Sequence, residues 1–142
     1  MQHKATESAQ TNGFVSLDEG RCLALLKSEG LGHLGLTSGA LPVVTPIHYQ
    51  LVGRSLVFVT ESGAKLNSAR HNAVACLEIE GTDASTDMAW TVLATGRLRE
   101  VHHPSSITSH IGISLRPWGL PTAEHVVALD IELLSGARSN AR

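Results

Sequence analysis

From Leu34 onward apolar side chains recur at every second position, and this period of two limits the fold more than any other feature of the chain. Leu34 and Leu36 alternate with His33, Gly35 and Thr37. After a Ser38-Gly39 turn, Leu41, Val43, Thr45, Ile47, Tyr49 and Leu51 share one strand face, and Pro42, Val44, Pro46, His48 and Gln50 share the other. Successive side chains of a strand point to opposite faces, so such a run buries one face and turns the other outward. A Gly53-Arg54 turn leads into a further strand over residues 55–61. Residues 73–80 and 89–101 return to strand, with a Gly, Thr, Asp and Ser loop over 81–87 between them. In a last strand over residues 126–134 the alternation turns Val127, Leu129, Ile131 and Leu133 inward. These are antiparallel hairpin signals.

Helices are few. Ser16-Leu17-Asp18-Glu19 has the spacing of a capping box, which predicts a helix over residues 17–29 with Cys22, Leu23 and Leu26 on one face and Gly30 as its stop. A short helix is predicted over 62–72, with Leu66 and Ala69 inward, and another over 104–114, where Ile107 and Ile111 sit four apart. Two prolines and a glycine keep Arg116-Pro117-Trp118-Gly119-Leu120-Pro121 out of any regular element. Six strands without continuous βαβ alternation predict a mainly β fold, a closed or nearly closed antiparallel barrel with flanking helices. At 142 residues the chain is one domain, over 14–138, after a mobile polar tail at 1–13 and before a short tail at 139–142.

Composition removes several function classes. Eleven basic side chains against thirteen acidic ones give a net charge of −2, so no positive field favours nucleic acid or an anionic membrane surface. No apolar run reaches the ~18 residues of a membrane span, and the N-terminus lacks a signal peptide's apolar stretch, so a cytoplasmic location is expected. Two cysteines, Cys22 and Cys76, are too few for a disulfide scaffold or zinc ribbon and read as core fillers. Eight histidines show no metal-ligand spacing, and no metal is expected. Gly30-Leu31-Gly32-His33-Leu34-Gly35 matches a dinucleotide fingerprint, but here a helix precedes and a strand follows, the reverse of the geometry that aims a helix N-terminus at a pyrophosphate. No G-x-S-x-G elbow singles out a nucleophilic serine.

Four segments retain a chemical reading. Thr60-Glu61-Ser62-Gly63-Ala64-Lys65 leaves a strand and opens a helix. Its free amides, the Thr60 and Ser62 hydroxyls and the Lys65 ammonium can converge on one phosphate; the alternative is a capped surface helix with a solvated lysine. The strand carrying Pro42 and Pro46 cannot donate ladder hydrogen bonds at those positions, so it is either an ordinary edge strand or one that offers backbone groups to a ligand, with His48 on the same face. Trp90-Thr91-Val92 opens the long strand, and Trp118 sits in the rigid Pro/Gly segment, where an indole either covers a flat ligand or plugs the core.

Taken in order, these features resemble the pyridoxamine 5′-phosphate oxidase-like flavin-binding split-barrel superfamily, over residues 16–138. The residues that carry the resemblance are the helix ending at Gly30, Leu34-Gly35-Leu36, and Pro42-Val43-Val44-Thr45-Pro46-Ile47-His48-Tyr49. Leu56 to Thr60 running on to Lys65, Trp90-Thr91-Val92 leading to Gly96-Arg97, and Arg116-Pro117-Trp118 complete the set. The resemblance implies a six-stranded antiparallel split barrel of the FMN-binding type and a homodimer with FMN at the subunit interface. It implies that Val44, Thr45, Pro46 and Ile47 run along the isoalloxazine, that Thr60, Ser62 and Lys65 hold the phosphate, that Trp90, Thr91 and Val92 line the ribityl and ring side, and that Trp118 reaches over the ring. The chemistry implied is the flavin's, an oxidoreduction of a small-molecule substrate with His48 as the side chain near enough to donate a proton. Relatives that use a deazaflavin or bind haem make a deazaflavin-dependent reductase and a non-catalytic flavin or haem binder the alternatives. The chain ends Ser135-Gly136-Ala137-Arg138-Ser139-Asn140-Ala141-Arg142, without the Arg-Leu-x-Pro setting of the superfamily's namesake, so the resemblance does not extend to a pyridoxine-type substrate.

Overall fold

In the computed structural model, which describes residues 13–102 and 125–139, the alternating stretches become one antiparallel sheet of eight strands. In chain order these are β1 (Phe14–Ser16), β2 (Leu31–Ser38), β3 (Leu41–His48), β4 (Gln50–Val52), β5 (Ser55–Thr60), β6 (Val74–Asp83), β7 (Met88–Glu100) and β8 (His125–Ser139). Helix α1 (Glu19–Ser28) lies between β1 and β2, and α2 (Ala64–Arg70) between β5 and β6. The strands lie in the order β3-β2-β6-β7-β8-β5-β4, with β1 added to β8. The two ends of that path, β3 and β4, are separated in the chain by Tyr49 alone, so the sheet has to curl until its edges approach. The result is the split barrel that the period of two and the resemblance predict.

Tyr49 fixes the corner. It is buried, its N–H donates to the Gly30 carbonyl at 3.0 Å, and its hydroxyl donates to the Leu26 carbonyl at 2.8 Å. Burial, and then the Glu29 charge, push its phenol far above the ordinary range, so it remains a hydrogen-bond donor. The inner faces of the strands meet in one core built on Phe58, Leu34, Leu56, Leu77, Leu98 and Leu129; α1 closes it with Cys22, Leu25 and Leu26, and α2 with Leu66 and Ala69. Burial, followed by the Asp18 and Glu19 charges, raises the Cys22 thiol, which keeps it neutral in that core.

Three expectations need correction. The first helix is shorter than 17–29, and its cap is Asp18, whose carboxylate accepts from the Arg21 N–H at 2.7 Å. Ser16 is instead the last residue of β1, opposite Ala137, and a carboxylate is the stronger acceptor for a free helix amide. The strand count rises from six to eight because β1 is a three-residue strand too short to show a period, and because the run read as one strand from Leu41 to Leu51 breaks at Tyr49 into β3 and β4. The last strand is longer than 126–134, and its alternation breaks. Thr95 stands opposite Leu133 but Gly96 opposite Ile131, so Glu132 is an extra residue in a bulge. Beyond it the faces exchange: Leu133 is 69% exposed, and Leu134 packs against the core in its place. Gly96 permits this, since a Cβ there would collide with the Asp130 carbonyl. The helix predicted over 104–114 and the Arg116 to Pro121 segment lie outside the described residues.

Candidate functional site

The edge of the sheet at β3 is the first element of the site. β3 pairs on one side with β2, with Pro42 opposite Thr37 and Pro46 opposite His33. Proline has no N–H, and a sheet tolerates it where the backbone turns away from the neighbouring strand. Pro42 and Pro46 are four apart and share that phase. Val44, midway between them, therefore turns its N–H to the open edge, flanked by carbonyls that accept but do not donate. Its side chain is 71% exposed and Pro46 is exposed, whereas Thr45 is half-buried and Ile47 is buried in the core. His48 ends the strand opposite Leu31, half-buried and in the same outward phase.

The second element is the turn between β5 and α2. Thr60 ends β5 and is buried, and its hydroxyl donates to the Glu61 carbonyl at 3.1 Å. Gly63 caps α2 at φ 146°, a conformation suited to glycine, and no side chain caps the first turn. Ser62 is exposed, Lys65 is half-buried, and among the described residues no carboxylate lies within salt-bridge distance of Lys65. A seven-residue helix adds little dipole field, so an anion here would depend on Lys65 and Ser62, with Thr60 joining once its hydroxyl turns from Glu61.

The third element stands apart from the second. Thr60 is opposite His125 at one end of β8, and Trp90 is opposite Arg138 at the other. That is roughly 40 Å along the strand at ~3.3 Å per residue. Trp90 turns inward, half-buried, with its indole lying over Gly81 where a Cβ would strike it. Val92 is a core residue with no exposure. Thr91 turns outward; its hydroxyl lies 2.9 Å from the Glu78 carboxylate and 3.2 Å from the Ile79 carbonyl. Within one chain, then, Thr60, Ser62 and Lys65 come together, Val44 to Ile47 form a second group, and Trp90 to Val92 a distant third. Trp118 lies outside the described residues.

Around Thr91 the outer face holds residues that the sequence reading did not single out. Glu78, on β6, is opposite both Leu93 and His33, and its carboxylate lies 3.8 Å from the His33 ring on β2. The cross-strand row beside it runs Val44, Gly35, Cys76, Thr95, Leu133. With Val74 52% exposed and Leu93 40% exposed, the face is largely apolar and faces water. The signal for this cluster is an acid and a histidine at outward positions of two strands, and only the register brings them together.

A protein-family model described as pyridoxamine 5′-phosphate oxidase matches residues 18–138. The chain belongs to this family. It is 29% identical over 129 residues to an uncharacterized protein of Mycobacterium tuberculosis, a match that covers 87% of this chain and 84% of that one. Among solved structures, an FAD binding protein from Mycobacterium smegmatis matches with a TM-score of 0.69 at 27% identity, covering 87% of this chain and 98% of that one. An FAD-binding protein from Mesorhizobium loti shares the fold with a TM-score of 0.71 at 20% identity, covering 89% and 99%.

Proposed function

We propose that this chain is an FMN-binding oxidoreductase that works as a homodimer, with the flavin lying between two copies. The open edge of β3 carries this reading. Its Val44 N–H between the carbonyls of two prolines matches the mixed donor and acceptor edge of an isoalloxazine, and the exposed surface of Val44 and Pro46 suits the ring. When bound, a flavin supplies the capacity to accept or donate a hydride or single electrons. The chain's own residues bind and orient it. Lys65 and Ser62 hold the phosphate, with Thr60 behind them. Thr91 has one hydroxyl proton, directed at Glu78 or the Ile79 carbonyl, so toward a ligand it acts as an acceptor. His48 is the side chain we assign to proton transfer.

The second copy follows from separation and exposure. The phosphate group of residues and Thr91 are too far apart in one chain to hold one flavin, and the apolar outer face is of the kind that marks an interaction surface. A copy packed on that face would bring the Thr91 of one subunit to the Lys65 end of the other. An FAD binding relative at 27% identity favours a flavin over haem and makes FAD the second cofactor to test.

Purified chain should be yellow, and titration with FMN, FAD and a deazaflavin ranks the three. Lys65→Ala should weaken FMN binding about tenfold or more, the scale of one charge-assisted contact. Colourless protein that binds none of the three overturns the proposal. Tight FMN binding without turnover of nicotinamide donors and quinone or nitro acceptors would identify a carrier instead of an enzyme.

A further inference from the structure

Six arginines stand among the described residues, and four of them face an acid: Arg54 with Glu19, Arg70 with Glu100, Arg97 with Glu132 and Arg99 with Asp130. The other two, Arg21 and Arg138, border one and the same cleft, between α1 and the far ends of β6, β7 and β8. The enclosed part of the cleft is about 50 Å³, the scale of a ligand's head group, and its mouth opens to solvent. Leu17, Leu25 and Trp90 give it apolar walls. One acid, Asp83, also borders it, but that carboxylate accepts from the Ser85 N–H at 2.9 Å and the Ser85 hydroxyl at 2.7 Å, which ties it to the turn after β6. The Arg138 guanidinium donates to the Met88 sulfur at 3.7 Å and the Ser139 carbonyl at 3.3 Å, both neutral groups that hold it in place and leave its charge uncompensated.

We infer that this cleft is a binding site for a small organic anion. The carboxylate or phosphate of the ligand lies between the Arg21 and Arg138 guanidiniums, and its apolar body lies against Trp90 and Leu25. Neither guanidinium is within salt-bridge distance of a carboxylate among the described residues; Asp83, which feels the Arg21 charge, offsets one of the two and leaves the cleft net positive. Planar, multi-donor guanidiniums suit an oxyanion better than a lysine would, and the indole face suits a flat hydrocarbon body. The site is distinct from the proposed flavin groove. It lies on the Trp90 side of β7, whereas Thr91 turns to the opposite face, and it stands at the other end of β8 from Thr60.

Trp90 is the reporter. With two tryptophans in the chain, Trp118→Phe leaves Trp90 as the single indole. In that background the full chain is titrated with benzoate, phenyl phosphate and uncharged benzyl alcohol while indole fluorescence is followed. The two anions should change the emission saturably, and benzyl alcohol should bind at least tenfold more weakly; the tighter of the two anions identifies the head group. Arg138→Gln should weaken the preferred anion about tenfold or more, Arg21→Gln several-fold, and Arg97→Gln not at all. Should Arg138→Gln fail to fold, Arg21→Gln on the exposed side of α1 carries the test. No saturable change with either anion, equal binding of benzyl alcohol, or unaltered affinity in the folded arginine variants overturns the inference. Flavin colour, read in the parent chain with Trp118 in place, reports on the flavin proposal separately.

Discussion

On the inner face of β7, Val92, Ala94 and Leu98 are sealed from water, while on its outer face Leu93 stays 40% exposed near Leu133 at 69%. The same strand therefore carries two apolar surfaces, and one of them is covered. The covered surface is fully apolar. The uncovered one holds Glu78 at its centre, accepting from the Thr91 hydroxyl on one neighbouring strand and lying 3.8 Å from the His33 ring on the other. A face that only had to remain in water would be polar throughout, and a core face would exclude the acid. The mixture is what an interface with a ligand in it requires, an apolar surround and a few placed polar groups.

The hardest test of this division is Gly96→Ala. The bulge that turns Leu133 outward depends on the close approach of Gly96 to the Asp130 carbonyl, and an added methyl has no flexible neighbour to displace. A loss above ~3 kcal/mol, or failure to fold, is expected from urea unfolding; a near-neutral result would mean that the two strands separate easily and the bulge does not hold the faces apart. Leu129→Ala, on the covered face, should cost ~2–5 kcal/mol by the same measurement. Leu133→Asp should keep the far-UV spectrum of the native fold and shift the sedimentation of a dimer toward that of a monomer. If it unfolds the chain instead, Leu133 belongs to the core and the comparison of faces fails.

The inner face was legible because alternation needs no partner: Leu34 and Leu36, or Val127 and Leu129, declare their side within one strand. It ceased to be legible at Glu132, where one inserted residue reverses the parity and nothing local marks the insertion except a glycine on the neighbouring strand. Ser16 and Asp18 show the same limit, since both can cap a helix and only the pairing of Ser16 with Ala137 decides between them. The Thr60 to Lys65 turn was readable as a unit because its members are contiguous. His33, Glu78 and Thr91 are far apart in sequence, and each is an ordinary polar residue on an outward position until the register of β2, β6 and β7 is known. The Arg21 and Arg138 pair was hidden for the same reason, one on a helix and one on the last strand.

The smallest expected effect concerns the clasp that leads into the bulge. Asp130 accepts from the Ser55 hydroxyl at 2.6 Å and from the Arg99 Nε at 2.7 Å, which ties β8 to β5 and β7 just ahead of Glu132. Burial alone would raise its carboxyl, but the hydrogen bonds from Arg99 and Ser55 outweigh that and hold it below the usual carboxylate range. A carboxyl lowered by folding adds stability above its unfolded value of about 3.9, and that stability is lost as the pH falls through the lower folded value. Asp130→Asn should therefore be less stable than the parent at pH 7, by about 1 kcal/mol or less for so exposed a pair. The gap should narrow below about pH 4 as the parent takes up its proton. A gap that persists unchanged at low pH would assign the effect to the shape of the side chain and not to its charge, and the strand clasp would then be steric.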